Sequence, residues 1–179
     1  MNRVREMNKR QSLRFLCSRI GLILLVVTGP AAPQAGMFPV ADMVVIEKAA
    51  RKLHLIQNGK PFRTFKVALG MIPVGDKKKE GDFKTPEGRY ILDGRNQNSD
   101  FFLAIHISYP DSADQSEASK LGVDPGGAIM IHGQPNVPTR SEAYYRTQDW
   151  TNGCIAVSNS DMIDIWLMTG ENTPIEIRP

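Results

Sequence analysis

The chain has 179 residues, 41% of them hydrophobic, and a formal net charge of +3. That length fits one domain with a sizeable core. The basic excess is confined to the N-terminus: six Lys and Arg face one Glu in the first twenty residues, and 16 Lys and Arg face 18 Asp and Glu in the rest. The main body therefore has no cationic surplus with which to neutralise phosphates, and no nucleic-acid partner is indicated.

In chain order, the basic residues Arg3 to Arg19 come first, then the apolar run Ile20–Val27, then "TGPAAPQAG" with Gly29 and Ala31 as small residues. Charged, apolar, small is the order of a secretory signal peptide. The apolar run falls well short of the roughly 20 residues of a spanning helix. Residues 1–36 are accordingly read as a signal peptide or a short uncleaved anchor, and 37–179 as one exported domain of the periplasm or cell envelope. Membrane contact would come only through an uncleaved leader. Cys17 precedes the apolar run, so it is no lipid-attachment site.

The body reads as mainly β with peripheral helices. Leu53 and Leu55 alternate with polar residues, Asn58-Gly59 is a hairpin turn signal, and Phe65 and Val67 continue the return strand. Lys77, Lys78 and Lys79 read as a solvated loop tip. Thr85-Pro86-Glu87-Gly88 has the residue order of a tight turn. "RYIL" and "FFLAIHISY" read as strands. A helix starts near Asp111 and stops at Gly122. "GGAIMIHG" is a strand running into a glycine, "TRSEAYYR" a short helix and "CIAVS" a strand. In the helix "SNSDMIDIWLMTG", Ser158 caps and Ile163, Trp166 and Leu167 share a face. "TPIEI" closes the chain as a strand.

The chemistry candidates are few. Cys154 is the sole cysteine of the body, which leaves it a reactive thiol, an intermolecular partner or a small buried hydrophobe. His54 lies on the outward row of the hairpin, as an exposed strand residue. Parity turns His106 away from Ile105 and Ile107, His132 away from Ile129 and Ile131, and Cys154 away from Ile155 and Val157. His132 and Cys154 each stand at a strand end beside a glycine, where a rigid sheet presents reactive groups at its rim. A thiolate is a nucleophile, and an imidazole takes its proton and later returns it. Gly153, with no side chain, would let substrate approach and free backbone N–H groups beside the thiol. Two rival readings stand beside this one. Cys154, His106 and His132 would be three zinc ligands in a zinc peptidase, although the chain has no close-spaced ligand pair. Alternatively, the domain is a silent binding module.

"IHG" at Ile131–Gly133, followed by "TNGCI" from Thr151 to Ile155, resembles the signature of the L,D-transpeptidase catalytic domain (the YkuD-type fold) of bacterial cell-wall enzymes. The opening hairpin, "GDFKTPEGRYIL", "NSDMIDIW" and "TPIEI" extend the likeness over residues 40 to 179. The resemblance implies a single-domain β-sandwich and no cofactor or metal. It implies that Cys154 attacks the amide after an L-centre of a peptidoglycan stem peptide and forms a thioester. It makes His132 the general base and acid, and the Gly133 carbonyl the group that orients it. An amine or water then resolves the acyl-enzyme, giving an acyl-transferase or a hydrolase (L,D-carboxypeptidase or amidase). Two positions depart from the family pattern: Asn152 stands where a histidine is usual, and Ala156 where an arginine is. Both are expected to alter the wall around the thioester. The segment "DWTNGCIAVSNSDM" is most similar to a subgroup that includes an amidase releasing lipoprotein from peptidoglycan, so a wall-linked lipoprotein joins stem peptides as an implied partner. Asn152, Gly153 and His106, the last within "HISYP", are the implied site-lining residues.

Overall fold

The computed structural model describes residues 38–179, and the expected leader lies outside the described residues. The strands are β1 (Met43–Glu47), β2 (Lys52–Gln57), β3 (Lys60–Lys66), β4 (Gly88–Ser99), β5 (Phe102–Ile107), β6 (Met130–His132), β7 (Ile155–Ala156) and β8 (Thr173–Arg178). They form one eight-stranded sheet in the order β3-β2-β1-β8-β4-β5-β6-β7. The sheet curls on itself. Just past β3, Ala68 pairs with Ala156 of β7, each amide donating to the other's carbonyl at 2.8 Å. The two ends of the ladder thus meet, and the layers enclose a core of Val44, Ile46, Leu53, Leu55, Leu92, Ile105, Ile131, Ile155, Ile175 and Ile177.

The hairpin forms as its turn residues require: Asn58 and Gly59 both have positive φ, 53° and 72°, the twist that matches two flanking strands. The sequence reading had two strands here. The structure adds β1, antiparallel to β2 and parallel to β8, joined to β2 through Arg51 at φ 54°.

Among the described residues three helices decorate the sheet: α1 (Ser112–Leu121), α2 (Glu142–Thr147) and α3 (Asn159–Met168). Asp111 and Asp114 make a reciprocal cap on α1, and Gly122 ends it in the left-handed region at φ 67°. Ser158 caps α3 by accepting from the Asp161 amide. The buried face of α3 differs from the expected one. Met162, Ile165 and Met168 face the core, whereas Ile163 and Leu167 are exposed. Trp166 is half-buried, with the Arg95 guanidinium 4.6 Å from its ring centroid. The helix is apolar on two stripes, and packing over the sheet chose between them.

The segment between β3 and β4 corrects two further expectations. No tight turn forms at 85–88. Thr85 is instead fully buried, its hydroxyl accepting from the Gly70 amide at 3.1 Å. Lys77 is not solvated either. It is 4% exposed, and its ammonium donates to the Lys79 carbonyl and to Asp82 Oδ1 at 2.9 and 3.0 Å. A loop carbonyl and a carboxylate turned inward need a cation, and a lysine supplies one with three donors.

Candidate active site

A cleft of about 400 Å³ has His132 and Cys154 in its wall. Ala128 and Met130 line it beside them, Asn96, Ser99, Asp100 and Phe101 come from the β4–β5 hairpin, and Trp150, Thr151 and Asn152 come from the loop before the thiol. The structure therefore brings the expected thiol and imidazole into one cavity.

His132 ends β6, paired across to Ala104 of β5. Its backbone alternates as parity required: Ile131 packs into the core, and the imidazole takes the other face. That face is covered too, and His132 is 4% exposed. The Phe101 ring lies 4.6 Å from the imidazole, centroid to centroid, and Trp150 lies 5.6 Å away, edge-on. Nδ1 is 2.7 Å from the Gly133 carbonyl oxygen. A carbonyl only accepts, so Nδ1 carries the proton and Nε2 keeps the lone pair. Burial lowers the His132 pKa to about 4, against the opposing pull of the Gly133 carbonyl. The ring is neutral at pH 7 and ready to accept a proton. Gly133 is hemmed in: a Cβ there would lie 2.6 Å from Asn159 Oδ1 and 3.0 Å from the Phe102 Cβ. The same Asn159 oxygen accepts from the Gln134 amide at 2.8 Å, which holds the chain as it leaves the histidine.

Cys154 stands on a loop tied to a distant part of the chain. The Thr151 amide donates to the Leu69 carbonyl, and the Met71 amide donates to the Thr151 carbonyl, at 3.1 and 3.0 Å. Asp149 accepts from the Leu69 amide at 2.9 Å and takes a forked pair from Arg51. Thr151 then closes the turn. Its hydroxyl accepts from the Gly153 amide at 3.1 Å and donates to the Cys154 carbonyl at 2.7 Å. The thiol itself reaches the Ala128 carbonyl at 3.5 Å. Burial pushes its pKa up, opposed by a hydrogen bond from the Met130 backbone and by the Lys77 charge. The resting pair is thus a neutral thiol and a neutral imidazole, which suits proton transfer during attack rather than a standing thiolate–imidazolium pair.

Other expected residues sit elsewhere. Gly153 is buried, and its φ is 130°. The space where a side chain would start is occupied by the Lys84 carbonyl at 2.7 Å and the Ile129 side chain at 3.2 Å. Its amide already donates to Thr151. Glycine is needed there for backbone shape and close approach, not to admit substrate. Asn152 is exposed and does line the cleft. Ala156 does not: it is buried against Ala68, outside the cavity wall. His106 also lies outside it, with Nδ1 2.5 Å from Asp93 Oδ1. The three zinc-ligand candidates therefore do not converge, and among the described residues no group of three His, Cys, Asp or Glu side chains is placed to hold a metal.

The sequence reading missed Phe101 and Trp150. Phe101 looked like the first residue of a strand, yet it lies in the two-residue turn between β4 and β5, with Phe102 at φ 69°. Trp150 stands two residues before Asn152, and an aromatic that close to the candidate thiol was the one local signal available.

The fold and cleft define a β-rich domain that holds a thiol and an imidazole at the rim of a closed sheet. A model of the L,D-transpeptidase catalytic domain family, YkuD, matches residues 41–177, and the chain belongs to that family. YafK of Escherichia coli strain K12, whose own assignment as an L,D-transpeptidase is provisional, is 32% identical over 97 residues, 50% of this chain and 37% of YafK. Among solved structures, the helical cell shape determining protein Pgp2 of Campylobacter jejuni superposes with a TM-score of 0.60 at 28% identity, over 76% of this chain and 46% of Pgp2. An L,D-transpeptidase from Mycobacterium smegmatis shares the fold, with a TM-score of 0.51 at 13% identity, over 76% of this chain and 58% of that protein. The matches thus take in less than half of YafK and of Pgp2.

Proposed function

We propose that this domain is a cysteine acyl-transfer enzyme acting on peptidoglycan stem peptides. The observation that carries this reading is the shared cleft in which His132 has its Nδ1 committed to Gly133 and its Nε2 lone pair left free. Cys154 Sγ attacks the carbonyl carbon of the amide that follows an L-centre. His132 Nε2 takes the thiol proton as the bond forms and gives it to the departing amine. The product is a thioester on Cys154. The Gly133 carbonyl keeps the imidazole in the productive tautomer and stabilises the imidazolium that forms, a task given elsewhere to a carboxylate. The Cys154 amide, which makes no hydrogen bond among the described residues, is the oxyanion donor of this reading.

An amine then attacks the thioester in a transferase, and water in a hydrolase. Family membership supports transfer. Asn152, an amide in the cleft wall where the family has a histidine, supports a changed acceptor site. A wall-linked lipoprotein enters as the donor if the enzyme is an amidase. Such substrates place the protein in the periplasm or cell envelope, as the N-terminal segment also suggests.

The test is to incubate the protein with a stem tetrapeptide, with and without an amine acceptor, and separately with peptidoglycan that carries a linked lipoprotein, and to follow intact mass and products. The expected result is a thioester adduct on the wild type and none on Cys154→Ala. Crosslinked product identifies a transferase, a trimmed peptide a hydrolase, and released lipoprotein an amidase. His132→Ala should slow acylation by roughly 10²–10⁴. Turnover by Cys154→Ala would sink the reading.

A further inference from the structure

Outside the cleft wall lies a buried ion pair that the acyl-transfer reading does not use. Lys77 and Asp82 belong to the loop between β3 and β4, with Nζ 3.0 Å from Oδ1, and the lysine is buried. Asp82 is the hub of that loop. It also accepts from the Lys78, Lys79 and Lys84 amides, at 2.8, 3.1 and 3.1 Å. The ammonium has three donors, and its acceptors among the described residues are Asp82 and the Lys79 carbonyl. A buried ion pair is a weak source of stability, since apolar side chains of the same volume often serve as well. Strongly buried charge beside a reactive group more often tunes that group.

The loop is wedged between the two backbone segments that meet at the thiol. On one side the Glu80 amide donates to the Asp124 carbonyl at 2.8 Å, and a Cβ on Gly126 would lie 3.2 Å from the Glu80 Cα. Two residues further on is the Ala128 carbonyl that Cys154 Sγ reaches. On the other side the Lys84 carbonyl fills the empty face of Gly153, the residue before the thiol. The charged and titratable groups around Cys154 are thus His132 and the Asp100 carboxylate in the cleft wall, and Lys77 with Asp82 in the wedge. Burial raises the thiol pKa, and the Met130 backbone and the Lys77 charge pull it back. On His132 burial acts, opposed by the Gly133 carbonyl, and Lys77 does not. Proton transfer from a raised thiol to a lowered imidazole runs uphill. A fixed cation on the sulfur side narrows that gap, whereas one beside the imidazole would oppose the imidazolium.

We infer that Lys77 is a positioning residue for the attack step: its buried ammonium holds positive potential on the far side of Cys154 from the cleft and favours charge on sulfur as the proton leaves for His132 Nε2. The inference rests on the acyl-transfer reading for the reaction, and its first test needs no substrate. Lys77 touches neither substrate nor the reacting atoms, and it acts through the thiol. Asp82 sets the size of the effect, because its carboxylate offsets part of the lysine charge.

Alkylation by iodoacetamide across pH, followed by peptide mass at Cys154 on the folded full chain, reports the thiolate. Lys77→Gln keeps a donor for the Lys79 carbonyl and removes the charge. Its pH midpoint should rise by about one unit, which slows alkylation below the midpoint about tenfold, the scale of a unit charge acting through a layer of packed side chains. Asp82→Asn removes the opposing charge and should move the midpoint down. Lys79→Met, exposed and two residues along, should leave it in place. Thioester formation with the stem tetrapeptide should slow in Lys77→Gln by up to the same factor. A purely structural role would move both partners of the pair in one direction, since each variant loosens the same loop. A Lys77→Gln midpoint equal to that of the wild type or of Lys79→Met, a rise in Asp82→Asn as well, or an unchanged thioester rate overturns the inference. If melting shows that Asp82→Asn has lost the fold, Lys77→Gln against Lys79→Met still decides. If no protein forms a thioester while the midpoint follows the charge at position 77, the acyl-transfer reading fails and the coupling of Lys77 to the thiol stands.

Discussion

The two walls of the cleft are built by opposite means. The His132 wall is positioned locally: the histidine ends a strand, its ring bonds to the next residue's carbonyl, and β5 sets its register, while Trp150 of the cysteine loop only covers one edge of the ring. The Cys154 wall is assembled from afar. Its loop is held by Leu69 and Met71. It is packed against the Lys84 carbonyl. That segment is in turn anchored by Lys48, a residue 2% exposed whose ammonium donates to the Gly75 and Thr85 carbonyls and to Glu87 Oε1, at 2.8, 2.9 and 2.7 Å. The imidazole is therefore positioned by a ladder, and the thiol by a loop with no chemistry of its own. Damage far from the site should reach the thiol and leave the imidazole alone.

The sharpest way to break the Cys154 wall is Gly153→Ala. The new Cβ meets a backbone oxygen at 2.7 Å, and the residue sits at φ 130°, where L side chains are strained. Strain and overpacking together cost about 4 kcal/mol. The melting temperature should fall by roughly 10 °C, with loss of Cys154 alkylation kinetics typical of the wild type. A variant as stable as the parent would mean that the loop is not fixed as described.

The His132 wall should respond to pH instead. An ordinary histidine titrates near 6.5, and burial brings His132 to about 4. Between those values the unfolded chain binds a proton that the folded chain refuses. Above pH 6.5 there is no penalty. As pH falls towards 4 the penalty grows to about 3 kcal/mol. Denaturant titrations across that window should show the slope in the wild type and its loss in His132→Gln. A slope of the same size in both would assign it to other groups.

Lys48→Met separates the walls again. It leaves two carbonyls and the Glu87 carboxylate without their cation, and since Glu87 is partly exposed it can recover water, so the cost is about 2 kcal/mol, below that of a fully buried broken pair. Alkylation of Cys154 should change in rate, while the pH slope assigned to His132 stays as it was. A change confined to stability, with thiol reactivity untouched, would cut the proposed link between the remote anchor and the thiol.

What could be read from the sequence follows the same divide. Alternation along "AIMIHG" and "CIAVS" placed the imidazole and the thiol off the apolar rows, because strand period is fixed by backbone geometry and needs no knowledge of neighbours. Asn58-Gly59 and the caps at Asp111, Gly122 and Ser158 were legible for the same local reason. Gly153 was given the wrong task because the group that fills its empty side is Lys84, 69 positions away in the chain. Lys77 was taken for a surface lysine because its burial depends on which way Asp82 turns. Ala156 was expected in the wall, and the bridge to Ala68 that removes it joins the two ends of the sheet. Phe101 and Trp150 meet over His132 only once β4, β5 and the cysteine loop are assembled.

Thr151 gives the finest test of the contrast. It is 4% exposed, and its one hydroxyl serves two backbone groups of the cysteine turn: it accepts from Gly153 and donates to the Cys154 carbonyl. Valine has nearly the same shape and neither function. Thr151→Val leaves a buried amide and a carbonyl unpaired, which costs about 1–2 kcal/mol. Thr151→Ser keeps the hydroxyl and should restore most of that loss. The informative readout is the pairing of two measurements. Cys154 alkylation should shift with Val and recover with Ser, since the turn that aims the thiol depends on that oxygen. The pH slope of His132 should be the same in all three proteins, since no bond of Thr151 reaches the imidazole or Gly133. If valine moves both readouts together, the walls are one mechanical unit and the division between ladder and loop is wrong.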